Sequence, residues 1–211
     1  MYLPDHFAEK NLIKLHQHIQ QHPFGMLVTN GHNGLDANHL PFYLTVTPEK
    51  TTVLTTHVAL ANPIYSNVNN EDDVLVVFKA ADHYISPNWY PSKHETQEQV
   101  PTWNYIVVHA HGKIKFKTDE KFLRGMLAQL TKQQEAQQEK PWKMGEAPKV
   151  YMDALLQRIV GIEIEVSQLI GKSKLGQDEI SKDVIGAAQA LANQGEKIIS
   201  VAMLDALSKR T

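Results

Sequence analysis

The sequence predicts a mainly β protein with peripheral helices, built as an antiparallel barrel of about six strands. Three observations carry that expectation. Short β-prone runs are separated by turn residues, most neighbouring runs lie close enough to be joined as hairpins, and helical patterns gather at the ends and in one middle segment. A doubly wound sheet, the competing class, would need helices alternating with strands. The chain has 211 residues, a formal net charge of −2, 21% charged and 42% hydrophobic residues. That length can bury a sizeable core, and the composition is far from that of a disordered chain.

Apolar residues at Phe7, Leu12, Leu15 and Ile19 follow helical spacing, with Asp5 as the expected N-cap and Pro23 as the stop. Phe24 to Thr29, Leu40 to Val46 and Thr52 to Thr56 read as strands, punctuated by Asn30-Gly31, Asn33-Gly34 and Pro48-Glu49-Lys50. Asn-Gly pairs between β-prone runs mark hairpins. Val74 to Phe78 is continuous and β-branched, too short for a typical helix, and is expected to be a central strand buried on both faces.

A proline- and aromatic-rich loop is expected from Tyr84 to Tyr105. Ile106 to Lys117 then alternates as a strand, with Gly112 marking a bend or bulge. Asp119 to Lys140 is helical by composition, with Phe122, Leu123, Met126, Leu127 and Leu130 on one face and Pro141 as its stop. A short helix around Val150 to Leu156 precedes the last strand, Ile159 to Val166, which has one wet face. After the turn Gly171-Lys172-Ser173-Lys174, helices are expected over Ser181 to Asn193 and Glu196 to Lys209, broken at Gly195.

Several function classes are disfavoured. The chain contains no cysteine, which removes disulfides, thiolate metal sites and cysteine nucleophiles. No run approaches the roughly 18 apolar residues of a membrane span, and the first residues lack a signal-peptide pattern, so a cytoplasmic protein is expected. No Gly-x-Gly-x-x-Gly or Walker loop follows a strand, and no Gly-x-Ser-x-Gly elbow surrounds a serine. His109 and His111 lie two apart on a strand and point the same way, but no further metal-binding pattern accompanies them. Glu163 and Glu165 read as a solvated strand face.

Three constellations remain. Tyr84-Ile85-Ser86-Pro87-Asn88-Trp89-Tyr90-Pro91 and Val100-Pro101-Thr102-Trp103-Asn104-Tyr105 concentrate aromatic faces and polar edges, suited either to a planar ligand or to a hydrophobic plug or interface. Thr55-Thr56-His57, closing a strand before a helix start, offers hydroxyls and an imidazole to a phosphate, or is an ordinary strand end with a cap. Lys172 and Lys174 flank a turn open to an anion or to water.

Taken together, the motifs resemble a family. Met1-Tyr2-x-Pro4-x-His6-Phe7, His39-Leu40-Pro41, His57-Val58-Ala59 with Asn62-Pro63, Tyr84-Ile85-Ser86-Pro87-x-Trp89-Tyr90, Val100-Pro101-Thr102-Trp103-Asn104-Tyr105 with His109, and Gly171-Lys172-x-Lys174-Leu175-x-Gln177 are similar, in this order, to the PaiB-type FMN-binding negative transcriptional regulators. The resemblance runs nearly end to end. It implies a six-stranded Greek-key split β-barrel of the flavin-reductase and pyridoxamine-phosphate-oxidase type. In that reading residues 1–170 form the split-barrel domain with inserted helices, and residues 171–211 a C-terminal helical extension packed on the barrel.

The resemblance also implies a homodimer with FMN at its interface. Asn38, His39, Thr55, Thr56 and His57 would grip the phosphate, Trp89, Tyr90, Thr102, Trp103 and Asn104 would meet the isoalloxazine, and Lys172 and Lys174 complete the cofactor-binding set. No catalytic residue and no metal ligand is assigned. The chain departs from the family pattern at Leu60, where a basic residue is common, at Ala80-Ala81-Asp82-His83, where Gly-Pro is usual, and at Gly176 and Asp178. These positions bear on FMN affinity more than on fold.

The implied role is negative transcriptional regulation. A flavin-dependent oxidoreductase and a cofactor-free split-barrel dimer are the alternatives. Direct DNA binding is the least supported part, because a −2 chain without a recognition helix lacks the usual electrostatic footprint; Lys172, Lys174, Lys182, Lys209 and Arg210 are the residues that would carry it.

Overall fold

The computed structural model describes residues 1–210. Its strands are β1 (Ala8–Glu9), β2 (Phe24–Gly31), β3 (Gly34–Pro41), β4 (Tyr43–Val46), β5 (Thr52–Ala59), β6 (Asp73–Ile85), β7 (Thr102–Lys117) and β8 (Ile159–Lys174). The helices are α1 (Leu12–Gln21), α2 (Ile64–Asn67), α3 (Lys93–Thr96), α4 (Glu120–Glu135), α5 (Lys149–Leu156), α6 (Ser181–Asn193) and α7 (Lys197–Ser208). The strands follow the order β3-β2-β6-β7-β8-β5-β4, with β1 pairing β8. The pairs β1/β8, β2/β3, β2/β6, β4/β5 and β5/β8 are antiparallel. The mainly antiparallel β class is therefore as expected.

The strand count is eight among the described residues, not six. β1 has two residues, too few for any periodic signal. The run expected as one strand from Leu40 to Val46 is two, parted at Phe42, whose side chain is buried and meets Phe78 edge to face at 5.5 Å. Its amide bonds to the Pro23 carbonyl at 2.8 Å, which ends the ladder to β2. Most of β3 escaped notice because Gly-Leu-Asp-Ala-Asn is a poor strand former. Pairing with β2 through the Asn33-Gly34 turn, where Gly34 has φ +90, holds it as a strand.

Contacts divide the chain into two compact units. One comprises Met1–Leu15, Lys79–Val108 and Ile170 onward; the other comprises His16–Phe78 and His109–Leu169. In the second unit, alternate residues of β2, β5, β6, β7 and β8 turn inward, so Leu27, Leu54, Val58, Val76, Ile114, Ile162 and Ile164 are buried. The opposite face of β5 and β8 is covered by α4, whose Leu123, Met126 and Leu130 pack with Leu156 of α5. Gly161 permits that approach, since a Cβ there would lie 2.7 Å from the Phe122 ring.

Gly112 has a similar role. β7 passes through it unbroken, contrary to the expected bend, and a Cβ would meet the Glu165 carbonyl oxygen at 2.4 Å. Val74 to Phe78 is an interior strand as expected, but its burial alternates: Val74, Val76 and Phe78 are buried while Leu75 and Val77 are partly open. Glu163 and Glu165 pair with Lys117 at 3.1 Å and Lys115 at 3.7 Å.

In the first unit, α6 and α7 pack with Ile85, Tyr90 and Leu175 around Val184, Leu191, Ile199 and Met203. Gly186 lets α6 lie against the Pro87–Trp89 turn; a Cβ would stand 2.4 Å from the Trp89 carbonyl oxygen. α1 begins later than its apolar spacing predicts. Asn11, not Asp5, caps it by accepting the amides of Ile13 and Lys14 at 3.0 and 3.2 Å, while Asp5 pairs with Lys10 at the surface. α4 also ends before its predicted limit of Lys140. The expected turn at Gly171 to Lys174 is the end of β8; the chain turns at Gly176, φ +83, where Gln177 bonds back to the Ser173 carbonyl at 2.6 Å.

Candidate functional site

The parts of β7 and β8 that lie in the first unit bring together part of the predicted site. Lys174 donates to the Thr102 hydroxyl at 2.5 Å and to the Trp103 carbonyl at 3.0 Å. An ammonium has three protons, so one remains for another acceptor. Trp103 is 55% exposed, and Tyr84 meets its indole edge to face at 6.1 Å. Beneath this surface Asn104 is fully buried; its amide nitrogen donates to the Met203 sulfur at 3.4 Å and its oxygen has no partner. Trp89 is half-buried, tilted against His83.

Two of the nominated residues have structural surroundings. Tyr90 is buried in the α6–α7 cluster, and burial, reinforced by Glu179, Asp178 and Asp183, pushes its phenol well above the usual range. Its hydroxyl is unpartnered. Lys172 is buried, donates to the Tyr2 carbonyl at 3.1 Å, and lies over the rings of Tyr105, Tyr2 and Phe7 at 5.3, 5.7 and 5.9 Å. Such a cation–π enclosure ties the N-terminal residues to β8.

In the second unit the strand period divides the expected phosphate set. Thr56 is turned inward with Leu54 and Val58 and is fully buried, its hydroxyl without a partner. Thr55 and His57 point to the other face. The Thr55 hydroxyl donates to the Tyr43 carbonyl at 3.5 Å. His57 lines a cavity of about 430 Å³ with Leu127, Trp142, Met152 and Arg158; its Nδ1 is buried and unpartnered, and burial holds its pKa below the ordinary value. Asn38 accepts from the Asn62 amide at 2.8 Å, while His39 is exposed beside Phe24, ring centroids 6.4 Å apart.

The four buried, unpartnered side-chain polar atoms among the described residues belong to Thr56, His57, Tyr90 and Asn104, all nominated for cofactor binding. Buried polar groups are normally satisfied; Thr56 and His57 lie in the second unit on opposite faces of β5, and Tyr90 and Asn104 lie in the first unit. Sequence reasoning missed Arg158 and Trp142, which the cavity places with His57. The Arg158 carbonyl receives the Leu60 amide at 2.8 Å. No group of three or more metal-ligating side chains occurs among the described residues, and no helix among them is long and apolar enough to cross a membrane.

The antiparallel β scaffold thus presents an exposed indole, a hydroxyl and an ammonium side by side. The family model described as "Putative FMN-binding domain" matches residues 1–168, and the chain belongs to that family. FMN is its cofactor. An uncharacterized protein of Emericella nidulans is 32% identical, with 92% of each chain covered. The protease synthase and sporulation protein PAI 2 of Bacillus subtilis is 29% identical over the full length of both. The FAD and haem binding protein of Mycobacterium smegmatis has a similar fold, with TM-score 0.57, 12% identity, and coverage of 84% of this chain and 78% of that one.

Proposed function

We propose that this chain is an FMN-binding split-barrel homodimer with a regulatory role. The observation that carries the binding site is Lys174, held by Thr102 and the Trp103 carbonyl beside an indole that is 55% exposed. Trp103 would stack on the isoalloxazine, Thr102 would bond its polar edge, and the remaining ammonium proton of Lys174 would meet an oxygen or nitrogen of the ring. FMN, when bound, supplies electron-transfer chemistry. A second copy covering Trp103 and Tyr84 would remove two exposed aromatic faces from water, which favours an isologous dimer.

The regulatory part rests on the resemblance of the motifs to the PaiB-type negative transcriptional regulators; the Bacillus subtilis relative is named as a protease synthase and sporulation protein. Direct contact with DNA is not part of this reading. Lys182 pairs with Glu95 and Lys209 with Asp205, Arg210 donates to the carbonyls of Glu179 and Gly176, and Lys172 and Lys174 are engaged as described. A redox role is the second reading, favoured by the same Lys174, because an ammonium beside the ring stabilises negative charge gained on reduction.

Titration of the purified protein with FMN, followed by flavin fluorescence and sedimentation, tests both parts. Saturable quenching with one FMN per chain and a dimer mass are expected; a monomer that leaves FMN fluorescence unchanged at tens of micromolar would overturn the reading. NADH or NADPH oxidation by the loaded protein decides between the regulatory and redox roles.

A further inference from the structure

The His57 cavity has a chemistry of its own. Its walls come from β5, α4, α5 and the segment between the two helices, and they are mostly apolar: Leu127, Met144, Met152, Leu156 and Ile159 among them. The polar groups are few. His57 presents a buried imidazole whose Nδ1 has no partner. Arg158 is exposed at the rim and forms no ion pair with any described carboxylate. No Asp or Glu lines this chamber. A second chamber of about 500 Å³ shares Thr131, Trp142 and Met144 with the first and is lined further by Lys132 and Lys143. Its one acid, Glu135, is occupied by the Trp142 amide at 2.8 Å.

These volumes are of the size that encloses small ligands rather than peptides or nucleic acid. Apolar walls take an apolar body by removing it from water, and the methionines adapt to its shape. A guanidinium without a carboxylate partner binds a carboxylate through two parallel N–H donors. We propose that this pair of chambers binds an organic carboxylate with an elongated apolar body, its head held by Arg158 and His57 and its body passing Trp142. Burial keeps the imidazole neutral near pH 7, so Nε2, the ring nitrogen not closed off from water, donates to the head group while Arg158 supplies the charge. The site shares no residue with the Trp103–Lys174 surface proposed for FMN.

Decanoate and decanol are the probes, titrated calorimetrically into the full-length protein with and without saturating FMN. The expected result is one decanoate per chain, bound at least tenfold more tightly than decanol. Arg158→Gln should remove that difference while leaving decanol binding and FMN affinity unchanged. Leu155→Trp, at a rim position 37% exposed, should block both probes in a protein whose thermal unfolding is otherwise ordinary. The proposal is overturned if millimolar decanoate does not bind, if decanol binds equally well, if Arg158→Gln leaves the preference intact, or if Leu155→Trp folds and still binds both probes. Competition between FMN and decanoate at one-to-one stoichiometry would assign the cavity to the flavin and overturn it as well. FMN binding that fails alone leaves decanoate binding to be read independently.

Discussion

The carboxylate of Asp183 accepts both the amide and the hydroxyl of Ser92, at 2.9 and 2.5 Å, across 91 residues of chain. Gln99 adds its amide at 3.3 Å and also reaches Glu179 at 3.1 Å. Asp183 is completely buried, so these donors replace the water it lost. The bonds fasten the start of α6 to the segment that follows the Pro87–Trp89 turn.

Removing that carboxylate strands three part-buried donors of Ser92 and Gln99. Asp183→Ala is expected to cost about 2–4 kcal/mol, and Asp183→Asn less, because its oxygen still accepts from Ser92. Urea unfolding with an unchanged slope measures both. A loss below about 0.5 kcal/mol for the alanine variant would mean that water satisfies the donors in its place.

Two helical glycines should respond with opposite signs. Gly125 in α4 has open space where a Cβ would go, so Gly125→Ala should stabilise by about 0.5–1 kcal/mol through helix propensity. At Gly186 the same methyl would meet the Trp89 carbonyl oxygen at 2.4 Å and Pro91 at 2.8 Å. Gly186→Ala should therefore destabilise by about 1–3 kcal/mol. Thermal melts of the two variants decide it: a stabilised Gly186→Ala would contradict the close approach of α6, and a destabilised Gly125→Ala the open space at α4.

Acid should weaken the fold through His18. Its Nε2 bonds the Phe78 carbonyl at 3.2 Å, and burial holds its pKa below 6.5, with the charge of His22 acting in the same direction and the Phe78 carbonyl opposing it. Between the native and unfolded values the unfolded chain binds more protons, so stability rises with pH across that window. The contribution is complete above about pH 6.5 and is lost as pH falls towards the lower native value. His18→Gln keeps a donor for the carbonyl but cannot titrate. Its melting temperature should fall less than that of the parent between pH 7.5 and 5.5; equal falls would move the acid sensitivity to another group.

Flavin binding should depend on the start of β7 and the end of β8, where Trp103 and Lys174 lie. Trp103→Ala and Lys174→Met are each expected to weaken FMN binding more than tenfold, read by flavin fluorescence, with the far-ultraviolet dichroism unchanged. Trp103 is exposed, so its loss should cost little stability. Unchanged affinity in both variants would remove this surface as the cofactor site.

The clearest sequence signals were local ones. α6 occupies the predicted Ser181–Asn193, and Gly195, φ +88, separates it from α7, because a left-handed position after an apolar helical pattern has few other meanings. Asn33-Gly34 marked a true hairpin for the same reason. β3 was largely invisible, since its residues have weak strand preference and the partner strand holds them in place. Gly112 was noticed for the wrong reason: a glycine in a strand signals either a bend or a close neighbour, and only the position of the Glu165 carbonyl distinguishes them. The nominated residues follow from residue type and order alone, which leave the direction of each side chain undetermined beyond the strand period.

The sequence alone determined the mainly β class and the principal strands and helices, because these rest on periodicity and turn residues within the chain, while its ordered motifs carry the resemblance that implies the family and its cofactor. Tertiary structure decided what each nominated side chain meets. It placed Lys172 among three rings and Lys174 on Thr102, turned Thr56 inward and His57 outward, and brought Arg158 and Trp142 to the His57 cavity. The reason is physical: a pattern of neighbours along a chain specifies local backbone and alternating faces, whereas burial, partners and cavities arise from segments that meet only after folding.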